Sequence, residues 1–267
     1  MQPRPTDPGG HRWLALGEEA LPAEEQWLAP GEAAILAGLR YTKRRTEFLL
    51  RRLVTKHAVA SVTGMPTDLA TLASIEVRNA PSGAPYVCVH GAPIEMGVSI
   101  SDRAGWAVCV TSPIQPPAVG CDLELVEPRS PGFVCDFLTA SEQRLVGSCA
   151  VGDERDAVVN LIWSAKESAL KLLGTGLRRD TQTLEVIPAG RGGDGWAHWR
   201  CGPSRARCFP AGGGGKAGSC SPSRRGWPLR RLPPWATPVN WRRRDPGTRG
   251  WSGRYTADMP RSTASTM

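Results

Sequence analysis

Apolar positions along the chain recur at two different intervals. After the start at Pro30, Gly31 and Glu32, the residues Ala33, Ala34, Leu36 and Leu39 return at helical spacing, and Glu32 lies near the positive end of that helix. A longer helical pattern begins near Tyr41. Phe48, Leu49, Arg52, Leu53, Lys56 and Val59 keep its period, and Gly64 is a fitting stop. Its polar positions, Lys43, Arg44, Arg45, Arg51 and Lys56, have the composition of a solvated face.

The interval then shortens. The run "IEVRNAPSGAPYV" reads as strand, turn, strand with Ser82 and Gly83 in the turn. "MGVSIS", "GWAVCVTS" and "VGCDLELV" are three further β-like runs. "TASEQRLV" carries a capping box, with Thr139 at the cap and Glu142 three residues on. A second long helix is expected from Asp156 to Leu173, ending at Gly174, and the strand-like "TLEVI" follows.

A long helix followed by short strands, twice over, predicts an α+β fold in two halves with a seam near Ser112 to Ala118. The expected division is a loose N-terminus (1–23), an N-terminal half (24–112), a C-terminal half (113–190) and a tail (191–267). No short-period repeat is visible.

The 267 residues suffice for one large domain or two small ones with ample core. The net charge of +8 invites a nucleic-acid reading, but it resides in the tail. From Ala197 on, many Arg face only Asp245 and Asp258, and the remainder of the chain is net acidic. The tail's only Leu, Ile or Val are Leu229, Leu232 and Val239. Such a segment cannot bury enough apolar surface to offset its ordering entropy. Disorder, or translation of another reading frame in a GC-rich gene, accounts for this mixture. An RNA- or membrane-seeking arm is the alternative, because Trp199, Trp227, Trp235, Trp241 and Trp251 beside Arg can stack on bases.

Eight cysteines without a C-x-x-C pair argue against zinc. "MQPRPTDPGG" has no apolar signal core, and no apolar run reaches membrane-spanning length. The expectation is a soluble, cytoplasmic protein with reduced thiols and no membrane partner.

Asp122 and Glu124 stand two apart in "VGCDLELVEPR". On a strand they share a face, with Cys121, Leu123 and Leu125 packing inward from the other. Adjacent carboxylates repel unless a cation neutralises them. In "WSAKESALK", Glu167 and Lys171 lie one helical turn apart. An ordinary surface ion pair is the plain reading. If this helix packs on the Asp122 run, Glu167 becomes a third oxygen ligand. A carboxylate set without His or Cys selects magnesium, or manganese, over zinc. Lys171 would then point at a phosphate held by the same ion. On spacing alone, an exposed edge strand and a two-carboxylate nuclease also remain open.

"VGCDLE" followed by "WSAKESALK" resembles the paired signature motifs of the Sfp-type 4′-phosphopantetheinyl transferases, G-[IV]-D-x-E and W-[ST]-x-K-E-[SA]-x-x-K. "SIS" at Ser99–Ser101 is similar to that family's phosphate-contacting serine motif, "SGAP" to its G-K-P turn, and "GLRYTKRRTEFLLRRLVTKHAV" to its basic helix. The likeness spans roughly residues 24–187.

The resemblance implies a pseudodimer of two similar α+β halves with coenzyme A between them. It implies magnesium on Asp122, Glu124 and Glu167, with Glu167 and Lys171 catalytic and Lys171 on the diphosphate. Ser101, Asp102, Arg103, Gly83 and Pro85 would line the coenzyme site, and Arg40, Lys43 and Arg44 would meet the 3′-phosphate. The implied reaction moves 4′-phosphopantetheine to a serine of an acyl, peptidyl or polyketide carrier protein and releases 3′,5′-ADP. A pseudodimer completes its own cleft, so a monomer is expected. Phe133, Val134, Phe137 and Leu138 are either carrier contacts or core.

The sequence departs from the family at four places. Asp102 stands where His is common, followed by Arg103. Ala84 replaces the G-K-P lysine. Arg51 replaces a helix glycine, either supplying a charge or facing solvent. The tail lacks the apolar strand that completes the second half. Two rival readings follow: an impaired transferase-like protein that binds coenzyme A or a carrier, and a nucleic-acid binder acting through the tail.

Overall fold

The computed structural model describes residues 12–113, 119–191, 197–203, 241–243 and 251–253. The first eleven residues and most of the basic tail, including the reading of that tail as disordered, misframed or nucleic-acid-binding, lie outside the described residues.

Helices and antiparallel sheets make the α+β fold that the pattern predicts. In the N-terminal half, β1 (Arg12–Gly17), β5 (Gly97–Arg103) and β6 (Trp106–Ser112) form a sheet in the order β1-β6-β5. Arg12–Gly17, which composition assigns to a loose terminus, is thus a paired strand, with Leu14 opposite Cys109. A second sheet joins β2 (Ile75–Asn79), β3 (Pro85–Val89) and β4 (Ala92–Pro93). Gly83 turns the β2–β3 hairpin at φ 89°, a conformation that suits glycine.

Helix α1 (Pro30–Gly38) leads into α2 (Thr42–Thr63), which ends at Gly64 with φ 73°. Helix α2 lies across β1 and β6. Phe48, Leu53, Val54 and Val59 bury its apolar stripe with Leu36, Leu72, Val87 and Val98. Lys56 departs from the expected solvated face. It is fully buried, and its ammonium bonds the Trp27 and Leu72 carbonyls and Glu32. A short helix, α3 (Leu69–Ser74), is capped by Asp68 and leads into β2.

The C-terminal half contains α4 (Pro131–Phe137), α5 (Ala140–Gly147) and α6 (Asp153–Leu172). The Thr139–Glu142 capping box forms as expected. Helix α6 begins three residues earlier than the apolar pattern suggests. Val159, Ile162 and Ala165 bury its stripe with Leu138, Val146 and Val186. Leu138 is therefore core. Phe133 and Phe137 pack on Trp163 with centroids 5.0 Å apart in each case, contacts worth about 0.5–1.5 kcal/mol each beyond area burial.

Strand β7 (Leu184–Arg191) pairs antiparallel with β8 (Ala197–Pro203). The abrupt change in composition at residue 197 therefore falls inside a hairpin. Two short strands, β9 (Trp241–Arg243) and β10 (Trp251–Gly253), pair with one another.

The run 119–126 is extended but joins no ladder. Two serine hydroxyls on one face of β5 replace the ladder bonds. Ser99 Oγ accepts from the Cys121 amide at 2.9 Å, and Ser101 Oγ accepts from the Leu123 amide at 3.2 Å. Cys121 and Leu123 pack inward against Val108, Val110 and Val119 as expected, whereas Leu125 is exposed. Among the described residues no helix is long and apolar enough to cross a membrane. The described cysteines, Cys88, Cys109, Cys121, Cys135, Cys149 and Cys201, are free thiols.

Candidate active site

Gly120 brings the carboxylate run onto helix α6. A Cβ at residue 120 would lie 1.9 Å from the Ser168 carbonyl oxygen, so no other residue permits this approach. Lys171, on the last turn of α6, then reaches back to the run. Its ammonium donates to the Cys121 carbonyl and to Asp122 Oδ1, each at 2.9 Å. The plain reading of Glu167 and Lys171 as a surface ion pair gives way to this contact between segments.

The three acidic side chains share one neighbourhood but are not equally free. Asp122 is buried. Its Oδ1 also accepts from the Ser101 hydroxyl at 2.9 Å, while Oδ2 has no hydrogen-bond partner. Glu167 Oε1 is likewise buried and unpartnered. Glu124 has both oxygens engaged, Oε1 by the Trp163 indole at 3.1 Å and Oε2 by Arg129 at 2.9 Å, with Arg103 at 3.5 Å.

Burial raises the Glu167 carboxyl above its ordinary range, and the charges of Asp122 and Glu124 push it the same way. Burial and the Asp122 charge also raise Glu124. Burial alone would lower Lys171, but the charges of Asp122, Cys121 and Glu167 together with the hydrogen bond to Asp122 outweigh it, and the ammonium is held above its ordinary value. This group therefore stays charged.

Two buried carboxylate oxygens without donors, beside a third carboxylate, fit a hard divalent cation, since an unpaired buried acceptor is otherwise unfavourable. Among the described residues, no three His, Cys, Asp or Glu side chains converge as a finished metal cage. Magnesium needs less than that. It is commonly held by one or two carboxylates, waters and substrate phosphate oxygens.

Beside this cluster lies a cavity of about 430 Å³ between the halves. Phe48, Arg51 and Arg52 of α2 line one wall, and Gly83, Ala84 and Pro85 of the β2–β3 turn another. Ser99 and Val119 lie at its floor, and Lys171, Gly174, Gly176 and Arg178 close the α6 side. Four cationic side chains thus face the cavity, and among its described lining residues there is no Asp or Glu. The arrangement suits a polyanionic ligand of small-molecule size.

Of the residues anticipated for coenzyme binding, Gly83, Pro85 and Lys171 line this cavity. Ser101 and Asp122 stand behind its floor, joined to one another. Asp102 is tied to Arg51 at 2.6 Å, and Arg103 turns to Glu127 at 2.5 Å. Arg40, Lys43 and Arg44 are exposed and outside the lining, with Lys43 facing Glu47 at 3.8 Å. Sequence reasoning did not single out Arg52 and Arg178 as lining. The Arg51–Arg52 doublet and the glycine-flanked Leu177–Arg178 segment were the available signals.

The fold and the site together define an α+β protein with a cation-lined cavity beside a buried carboxylate cluster. Residues 118–205 match the family model described as the 4′-phosphopantetheinyl transferase superfamily, ACPS. That segment contains Asp122, Glu124, Glu167 and Lys171 and extends through β8. No match is found among curated proteins. One similar solved structure is a crystal structure of a holo-(acyl-carrier-protein) synthase from Bacillus anthracis in complex with CoA (3',5'-ADP). It shares 24% identity, covers 39% of this chain and 93% of its own, and superposes with a TM-score of 0.33.

Proposed function

We propose that this protein transfers the 4′-phosphopantetheine arm of coenzyme A to a serine of an acyl, peptidyl or polyketide carrier protein. The observation that carries the reading is the Lys171–Asp122 contact. It sets a charged ammonium at the edge of an anion-suited cavity, beside two carboxylate oxygens that lack donors.

Coenzyme A would occupy the cavity with its diphosphate toward Lys171. Lys171 neutralises charge that builds on the phosphate oxygens as the leaving group departs. Ser101 and Lys171 hold Asp122 Oδ1, which fixes the direction of the free Oδ2. Asp122 and Glu167 would hold a magnesium ion, which when bound supplies charge neutralisation at the diphosphate. Glu167, through the oxygen not given to the ion or through a water it orients, accepts the proton of the incoming carrier serine. The serine Oγ–phosphorus bond forms, the bond from that phosphorus to the bridging oxygen breaks, and 3′,5′-ADP leaves.

Incubation of an apo carrier protein with the full chain, coenzyme A and magnesium tests this by intact mass. A gain equal to one phosphopantetheinyl group is expected, and an unchanged mass would overturn the reading. A second reading, a coenzyme A binder without transfer, draws on the engagement of both Glu124 oxygens by Trp163, Arg129 and Arg103. It predicts coenzyme A binding with no release of 3′,5′-ADP.

A further inference from the structure

We propose that Glu124 is not a ligand of the divalent cation in this chain, and that Arg129 is the positioning residue that withdraws it and so sets how tightly the cation is held. The inference rests on the reading of Asp122 and Glu167 as the pair that holds the ion.

Four side chains alternate in charge around a closed ring. Arg129 Nη2 donates to Glu124 Oε2 at 2.9 Å, and its Nη1 lies 3.5 Å from Glu127 Oε1. Arg103 Nη2 meets that same Glu127 oxygen at 2.5 Å, and its Nε lies 3.5 Å from Glu124 Oε2. The Trp163 indole donates to the other Glu124 oxygen at 3.1 Å. Two glutamates against two arginines make the ring neutral, and the charge of Glu124 is cancelled inside it.

Arg129 is itself anchored. Its Nε donates to Asn160 Oδ1 at 2.7 Å, and its guanidinium carbon lies 5.0 Å from the Phe133 ring centroid. Asn160 in turn donates to the Glu127 and Asp156 carbonyls. The Arg129 and Glu124 side chains are only 17% and 14% exposed, so solvent and salt screen this pair less than a surface pair.

Lone pairs alone do not keep a cation from Glu124, because a carboxylate oxygen can accept twice. Charge does. A divalent ion on Oε2 would stand beside two guanidiniums that repel it. Asp122 Oδ2 and Glu167 Oε1, by contrast, are buried without a hydrogen-bond partner. The lack of a converged three-carboxylate cage among the described residues agrees with this division. Glu124 stays within electrostatic reach of Asp122 and Glu167. Freed from Arg129, it becomes a third oxygen ligand.

The ring also ties the carboxylate run to α4 and α6. Support alone predicts that removing Arg129 costs stability and does not tighten metal binding. Manganese titration of the full chain without coenzyme separates the two roles, with the electron paramagnetic resonance signal of the free ion as the readout.

Asp122→Asn and Glu167→Gln should each weaken manganese binding about tenfold to hundredfold, and Glu124→Gln by less than about threefold. Arg129→Met should tighten it about tenfold. Adding Glu124→Gln to Arg129→Met should cancel most of that gain, whereas a gain due only to the lost positive charge would survive. Should Arg129→Met not fold, Arg129→Gln carries the same expectation. A loss in Glu124→Gln as large as in Asp122→Asn, no gain on removing Arg129, a gain that survives the double substitution, or no manganese binding in wild type and Arg129→Met alike would each overturn the proposal. The expected pattern together with a carrier that gains no mass would overturn the transferase reading and leave this one standing.

Discussion

Lys56 and Lys166 occupy equivalent places in the two halves of the chain. Each is fully buried near the middle of a long helix and donates to one carboxylate and two carbonyls. Lys56 meets Glu32 at 2.6 Å with the carbonyls of Trp27 and Leu72, and Lys166 meets Glu142 at 2.7 Å with those of Phe137 and Thr181. Each glutamate also accepts from a strand amide, Val77 or Val186, and from the amide opening its own helix, Ala29 or Thr139. One interval in residue number separates Lys56 from Lys166, Glu32 from Glu142 and Trp27 from Phe137. The halves are similar in their polar cores, where their apolar residues differ.

This equivalence predicts matched losses. An ammonium with three donors and three acceptors is fully satisfied, and removing it leaves a buried carboxylate without its cation. Lys166→Met and Lys56→Met should each cost about 3–5 kcal/mol in urea unfolding. Adding Glu142→Gln to Lys166→Met should recover part of the loss. A loss below about 1 kcal/mol in either single variant would contradict the burial of these pairs.

Much of the fold is legible from periodicity. Helix α2 with its Gly64 stop, the β2–β3 turn and the capping box at Thr139 all depend on neighbours in sequence. The polar core is not legible in that way. Lys56 reads as solvated because its acceptors come from Trp27, Glu32 and Leu72, which lie on other elements. The Asp122 run reads as a strand because it is extended, yet Ser99 and Ser101 side chains supply the bonds that a ladder would make. The closeness of Asp122 and Lys171 follows from the two motifs together. The inward-facing role of Arg51 does not, because its partner Asp102 is on a distant strand.

Gly120 is the position where one methyl group should matter most. The 1.9 Å approach of a Cβ to the Ser168 carbonyl involves helix backbone, which cannot swing aside. Gly120→Ala must push the carboxylate run off α6 and strain the Lys171–Cys121 bond. Overpacking of this kind costs about 1–3 kcal/mol or more. Urea unfolding should show that loss, and transfer to a carrier should fall further than stability alone explains. Wild-type behaviour in both assays would contradict the contact.

Lys171→Met tests the ammonium itself. In the proposed reaction this group stabilises charge that develops on the phosphate oxygens, and loss of one such donor lowers turnover about 10²–10³-fold. Circular dichroism should report a retained fold, since the side chain is 30% exposed. A folded variant with near-normal kcat would remove Lys171 from the chemistry.

Glu167 gives the site a pH dependence whose sign can be worked out. Its folded-state pKa lies above the ordinary 4.5, chiefly through burial and then through Asp122 and Glu124. A carboxyl raised in this way favours the fold below its unfolded pKa. That contribution is lost as pH rises through the folded pKa and the buried group ionises. A divalent cation binds only the ionised form and so opposes the loss. The magnesium-induced rise in Tm should therefore grow as pH rises from the ordinary carboxylate range through this group's raised pKa. Thermal melts across that range, with and without magnesium, measure it directly. Glu167→Gln should raise the metal-free Tm at the alkaline end and flatten the magnesium effect there, whereas an undiminished magnesium response in that variant would take Glu167 out of the metal site.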